Sequence, residues 1–331
     1  MTNMQSHADG TIGDDEMHWL LSRADSGFSL VCTCAAHVAK DGQGWSGELG
    51  VYDDRHIEGL ARLAGRLRDR GAAPFVQIFH GGMRADPNVT KAQAWTATAT
   101  NGARAATVDD LALVIEQFGD AAARAQDAGM EGVEIHGAHG YLLTQFLSRT
   151  QNLREDAWGG PLENRARLIR AVLRRVRERT NDAFTVGVRI SPEDFGNAKG
   201  LDLDESIEVA RWLADDGADF IHLSLWRSHE NTKKRPDEHA VPLFRKAVPE
   251  HVRIFVAGQI WTKADAERLV EMGADVVALG RSAIANPDWP LRVSEPGWEP
   301  RRPPLTVNEL QARGLSPRFA EYMRQWKGFV A

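Results

Sequence analysis

Two histidines and a tyrosine sit close together in the run Gly132-Val133-Glu134-Ile135-His136-Gly137-Ala138-His139-Gly140-Tyr141-Leu142-Leu143. Two-residue alternation sets Val133 and Ile135 on one face and Glu134 and His136 on the other. This predicts a short strand that opens into a polar loop at His136. Folds of alternating strands and helices place their chemistry at such strand ends. His136 and His139 have the residue types of metal ligands, but a metal site needs further His, Asp or Glu at neighbouring strand ends. Those ends offer Gln77 and Arg189 instead. Two neutral donors polarising a substrate oxygen fit the residue types better than a metal site. Tyr141 either donates a proton over the pocket or packs as an aromatic with its hydroxyl in water.

Alternation adds other inward positions at strand ends. They are Gln77 followed by His80, Arg189 two residues after an inward Gly187, Gly258, and Gly280 followed by Arg281. An arginine inside a sheet needs an anionic or electron-rich partner, because an unpaired buried charge is costly. For Arg189 that partner is either Glu134, as a structural pair, or a ligand group that carries or develops negative charge. Gly280-Arg281 precedes Ser282-Ala283-Ile284-Ala285-Asn286-Pro287, a short helical run stopped by proline. Such a turn is often only a helix cap. After the last strand of a barrel it is also where phosphate is commonly held, with free N–H groups and an arginine at hand.

The elements that must position these residues recur as a β-rich run, a turn and an amphipathic helix. The runs are residues 29–34, 73–80, 132–136, 184–191, 219–224, 252–258 and 274–280. Helical periodicity covers 56–69, 108–128, 165–179, 203–216 and 263–272. Thr107 and Asp110 read as a capping box with Asp in place of Glu. Leu111, Val114, Ile115 and Phe118 form one stripe, and Gly129 stops the helix. Parallel strands require crossovers, so the repeat predicts a parallel sheet. Seven strands in one chain point to a (β/α)8 TIM barrel lacking most of strand one. A doubly wound open sheet is the alternative, weakened because no Gly-rich fingerprint follows the first strand. A helix is expected at 14–24, so only a few residues remain for strand one. The chain is therefore expected to begin inside that strand, with a start codon assigned too late as one source. One domain is expected over 1–331. Residues 296–331 form an extension in which Tyr322, Trp326 and Phe329 pack on the barrel or on a partner subunit.

Composition narrows the class. The chain has 331 residues, 43% hydrophobic and 26% charged, with a net charge of −6. That is ordinary for a globular enzyme and gives no electrostatic footprint for nucleic acid. No apolar run is long enough to span a bilayer, and the first residues lack the form of a signal peptide. A cytoplasmic protein is expected. Cys32 and Cys34, the only cysteines, should share one strand face as two small buried residues rather than a redox pair. No four-cysteine cluster exists for an iron–sulfur centre.

The run from His136 to Ser148, with Asn152, Arg154, Asp156, Trp158-Gly159-Gly160 and Glu163-Asn164-Arg165, closely resembles the Old Yellow Enzyme family of FMN-dependent ene reductases. The resemblance extends to about Pro290. It implies a flavoprotein oxidoreductase reduced by NADPH or NADH, acting on α,β-unsaturated carbonyl or nitro compounds. Gln77 and Arg189 match positions at the flavin pyrimidine ring, the arginine answering negative charge on the reduced flavin. Gly280 and Arg281 match the phosphate-binding pair, with Gly258 in the preceding loop. Met1 and Thr2 match the segment beneath the flavin, and Ala35 matches a ring contact. His136 and His139 match the pair that grips the substrate oxygen, and Tyr141 matches the proton donor. No metal is implied, and a homo-oligomer is compatible with the family. The sequence departs from the pattern at Phe79-His80-Gly81-Gly82-Met83-Arg84, which carries an extra residue relative to His-x-Gly-Arg. Trp158 replaces a tyrosine, and Met4 stands where some members place a substrate-contacting tyrosine. A truncated, catalytically impaired flavin-binding barrel is the alternative function. A metal-dependent barrel hydrolase is a third.

Overall fold

A computed structural model describes residues 2–331. Ten strands are found: β1 Leu30–His37, β2 Leu49–Gly50, β3 Ala73–Phe79, β4 Ala94–Thr96, β5 Ala103–Ala105, β6 Gly132–Gly137, β7 Thr185–Ile190, β8 Phe220–Ser224, β9 Arg253–Ala257 and β10 Val276–Ala278. Eight form one parallel sheet in the order β10-β9-β8-β7-β6-β3-β1-β2, curled as a (β/α)8 barrel, and β4 and β5 make a small separate pair. All seven strands expected from the repeat are present. The eighth is β2, a two-residue strand on the end of β1, where Ala36 faces Leu49. No strand occurs among residues 2–6. Met4 has φ +56° there, which interrupts an extended run, and Asn3 Oδ1 accepts from the Gln5 N–H at 3.2 Å.

The crossover helices lie within a few residues of their expected bounds: Arg55–Arg68, Val108–Asp127, Arg167–Arg179, Leu203–Asp215 and Lys263–Glu271. Ala166 interrupts the third of these, leaving a separate turn at Leu162–Arg165. The Thr107–Asp110 capping box is present, and the same device recurs at Thr262–Asp265 and Thr306–Glu309. Each satisfies otherwise unpaired N–H groups and fixes where its helix leaves the preceding loop.

Val133 and Ile135 are fully buried in the main core between strand and helices, while Glu134 and His136 face the barrel interior, as alternation requires. The interior is filled from the bottom by aromatic rings. Phe220 stacks on Phe255 at 4.3 Å and lies 6.2 Å from Phe75. Gly187 admits this plug, since a Cβ there would lie 2.3 Å from the Phe220 ring. Residues above Phe220 can then form a cavity because the lower barrel is full.

Residues 296–331 pack on their own barrel. Leu305, Leu310, Leu315, Phe319, Met323 and Phe329 join the main core cluster, and Phe319 meets Trp19 edge-on at 5.0 Å. Leu305 forms a parallel bridge with Val330, and Ser316 donates to Gln5 Oε1 across the chain.

Candidate functional site

A cavity of about 400 Å³ opens over the C-terminal ends of the strands. Its lining includes His136, His139 and Tyr141 from the β6 end, Arg189 from β7 and Ser224 from β8. Gly258 follows β9, and Gly280 and Arg281 follow β10, while Ala35 and Thr2 complete the set. Nine of the eleven site residues nominated from the sequence and its family resemblance therefore line this one cavity, and Ser224 is an addition. Met1 lies outside the described residues.

Gln77 does not line this cavity. It sits in a polar layer just beneath, where its Nε2 donates to Glu134 Oε1 at 2.5 Å. Glu134 Oε2 is 2.5 Å from His222 Nδ1. The Arg189–Glu134 pair, one of the two readings open for Arg189, is present but long, at 3.9 Å, because His222 and Gln77 occupy the carboxylate more closely. Burial pushes the Glu134 carboxyl up, but His222, Arg189 and Gln77 outweigh this and hold it at about 2. Three atoms of the layer are buried without a partner: Gln77 Oε1, Arg189 Nε and His222 Nε2. Such orphans are costly, and they mark where a polar ligand edge would be accepted.

Cross-strand register sets His136 beside Arg189 and Arg189 beside His222. His136 Nε2 is 3.2 Å from His139 Nδ1, and His139 Nε2 is 2.6 Å from Ser224 Oγ. Ser224 Oγ also accepts from Arg189 Nη2 at 3.1 Å. His139 reaches this position in a left-handed conformation, φ +62°, a cost that a non-glycine residue bears only when its surroundings hold it there. Burial, reinforced by the neighbouring histidine and arginines, pushes both imidazoles well below their ordinary range, so both are neutral. Burial pushes the Tyr141 phenol up, with Arg84 opposing, so it keeps its proton.

Several lining residues carried no signal in the strand ends. Ser224 is one, although alternation from Phe220 through His222 would have found it. Arg84, Trp45, Phe195, Asn197 and Trp226 come from loops. Tyr322, Met323 and Trp326 come from the C-terminal extension, so Tyr322 and Trp326 line the cavity as well as pack, while Phe329 is wholly core. Met4 does not line the cavity, and His80 is fully enclosed at 3.5 Å from Asp41. Cys32 and Cys34 are free thiols, and the sheet register shifts between Cys32 and Ala35, so simple alternation does not hold across them. Among the described residues no group of three His, Cys, Asp or Glu could hold a metal ion, and no helix is long and apolar enough to cross a membrane.

The residues suit a flavin mononucleotide. The orphaned Gln77 Oε1 and Arg189 Nε supply one acceptor and one donor for the edge of a pyrimidine ring. Close passage of backbone at Gly258 requires glycine, since a Cβ there would lie 2.3 Å from Leu225 O. Arg281 has no acidic partner within 4 Å among the described residues, and its guanidinium rests 5.6 Å from the Trp226 ring and 5.1 Å from the Trp326 ring. Among the described residues no aspartate or glutamate lines the cavity, so Arg84 and Arg281 face it without an acidic partner within 4 Å.

Comparison with known proteins agrees. The family model described as NADH:flavin oxidoreductase / NADH oxidase matches residues 1–296. The chain is 34% identical to a probable NADH-dependent flavin oxidoreductase, YqiG, of Bacillus subtilis, over 89% of this chain and 82% of that one. It is 31% identical to an NADPH dehydrogenase of Bacillus licheniformis, over 85% and 84% respectively. The solved structure of an Old Yellow Enzyme homologue from Zymomonas mobilis superposes with a TM-score of 0.83 at 25% identity, covering 97% of this chain and 93% of that one. The chain belongs to the NADH:flavin oxidoreductase / NADH oxidase family, as an NAD(P)H-dependent FMN oxidoreductase of the Old Yellow Enzyme type.

Proposed function

We propose that the protein reduces activated C=C bonds of α,β-unsaturated carbonyl or nitro compounds, with His136 and His139 gripping the substrate oxygen and Tyr141 donating the proton. The observation that carries this is the meeting of His136, His139 and Tyr141 on one cavity wall, with His136 Nε2 3.2 Å from His139 Nδ1. Burial pushes both imidazoles down and the phenol up, which favours neutral donors there. Bound FMN supplies the redox chemistry, taking a hydride from NAD(P)H and passing it to the alkene. Gln77 and Arg189 would hold its ring edge, and Gly258, Gly280 and Arg281 its phosphate end, with Thr2 and Ala35 as further contacts.

The hydrogen-bond chain assigns the imidazole protons. The Ala138 N–H approaches His136 Nδ1 at 3.4 Å, which makes that nitrogen the acceptor and leaves the proton on Nε2. His136 then donates to His139 Nδ1, and His139 donates from Nε2 to Ser224 Oγ. A substrate oxygen would replace Ser224 as the acceptor of His139, and His136 would turn to the same oxygen. Neutral donors aimed at an oxygen that gains charge as the double bond is reduced favour the transition state over the ground state. Tyr141 then protonates the carbon next to the polarised group, and Arg84, 4.2 Å over its ring, eases the loss of that proton. Ser224 accepts the His139 proton at rest, so the donor is never left unpaired.

The test is anaerobic. Bound flavin should bleach with NADPH or NADH and recover on adding an enone. Tyr141→Phe should slow the recovery roughly 100-fold, the usual scale of general acid catalysis, with bleaching nearly unchanged. Equal loss in both halves would make Tyr141 structural. Bleaching without recovery on any enone would support a catalytically impaired flavin protein instead.

A further inference from the structure

From the charges around the cavity we infer that Arg84 binds a carboxylate of the substrate, so that the preferred alkene carries an anionic group besides the oxygen held by the histidines. This rests on the ene-reduction reading and narrows it to a substrate class.

Among the described residues three arginines line the cavity, Arg84, Arg189 and Arg281, and no aspartate or glutamate does. Two have assignments, Arg189 to the flavin ring edge and Arg281 to the phosphate end. Arg84 has none. Its side chain is half-buried, and its guanidinium carbon lies over the Tyr141 ring at 4.2 Å. Nη1 donates to the His139 carbonyl oxygen at 2.9 Å. Among the described residues no carboxylate stands within 4 Å of it, in contrast to most arginines of the outer surface. A planar fork with one arm fixed and the other donors free matches the two oxygens of a carboxylate.

Position selects the carboxylate's owner. The two contacts that fix Arg84 are the phenol read as the proton donor and the backbone of one substrate-gripping histidine. A group bound there lies within the length of a small alkene from the reacting carbons. The phosphates of a nicotinamide dinucleotide are separated from its reacting ring by a ribose and so are the poorer candidate. Trp45, Phe195 and Trp226 give the same cavity an aromatic wall, which accommodates an apolar substituent. An unsaturated oxo acid with an aryl or alkyl group satisfies all three features.

The experiment uses the FMN-loaded full chain and two pairs of probes. Trans-benzoylacrylate and its methyl ester serve as alkenes. Their saturated counterparts, benzoylpropionate and its methyl ester, serve as binding probes followed by quenching of the cavity tryptophans. The wild type should bind the saturated acid more tightly than the ester and should show the lower KM for the unsaturated acid. Arg84→Gln should cut the acid-over-ester preference about 10- to 100-fold, the worth of charge-assisted hydrogen bonds. Any effect of the lost charge on the Tyr141 proton is common to acid and ester and cancels in the ratio, and Arg84→Lys should restore part of the preference. Equal weakening of acid and ester, or equal acid and ester affinity in the wild type, overturns the inference. So does a raised KM for NAD(P)H with the preference intact, which would give Arg84 to the dinucleotide phosphates. If the acid binds through Arg84 while neither alkene restores the flavin, the carboxylate site stands and the ene-reduction reading falls.

Discussion

The arginines of the cavity and those of the outer helices have the same side chain in opposite circumstances. On the helix Arg167–Arg179, Arg170 and Arg174 share Asp216, Arg175 holds Glu116, and Arg177 reaches Asp219 beyond the next helix. Every one of these charges is answered by the protein itself. Inside the cavity Arg84 and Arg281 have no carboxylate within 4 Å among the described residues, and Arg189 stands 3.9 Å from one that His222 already occupies. Surface pairs contribute little because water answers either charge nearly as well. A cation withdrawn from water and left without an anion has no such substitute. The contrast separates charges that the protein answers itself from charges that it leaves unanswered at the cavity.

Three substitutions probe that contrast, in falling order of effect. Arg189→Met removes a cavity cation and leaves Glu134 short of one partner. We expect flavin affinity to fall at least about 100-fold and stability to drop by about 3 kcal/mol, the scale for breaking a buried pair. Flavin content by absorbance and a thermal melt would show both, and full flavin retention would make Arg189 a structural counter-ion. Glu16 is the mirror case, a fully buried carboxyl with no cation within 4 Å among the described residues, which Ser6 contacts by its hydroxyl. Burial raises it from 4.5 to about 7. The folded state therefore binds more protons than the unfolded state between these values. Its stability falls as pH rises from about 4.5 and the loss is complete above about 7. Glu16→Gln should leave stability unchanged in acid buffer and raise it in mildly alkaline buffer, by roughly 3 kcal/mol at most. Paired melts at the two pH values would reveal an equal gain at both if the carboxyl ionises freely. Arg174→Ala, on the outer face, should cost less than about 1 kcal/mol and leave kcat and flavin content unchanged. A large loss there would erase the distinction between outside and inside.

Much of this was legible where one local rule governs. Alternation alone aims Glu134 and His136 inward, and the same rule aims Arg189. The capping box at Thr107 and the glycine-ended helices set the crossovers. The rule fails where several strands meet. Glu134 belongs to His222, 88 residues further along, rather than first to Arg189, because staggered register decides which side chains share a layer. Cys32 and Cys34 straddle a register shift that no period can show. Gln77 was assigned to the flavin by resemblance, yet its amide nitrogen is engaged below with Glu134 and only its oxygen remains free. Arg84 follows an insertion, so its family position was ambiguous, and only the fold lays it over Tyr141. Trp326 read as packing because nothing in a terminal amphipathic run says which wall it will reach.

That last residue has a consequence for assembly. The cavity is lined by Thr2 at one end of the chain and by Tyr322, Met323 and Trp326 near the other, and Ser316 and Gln5 tie the two segments together. Contacts of such sequence separation form only after a very large loop has closed, and closing it costs entropy that local helices never face. A flavin bound between these segments would add its binding free energy to the closed state alone. The cofactor would then act as a clasp as well as a reagent, and the protein's resistance to local opening would follow how much of it is loaded.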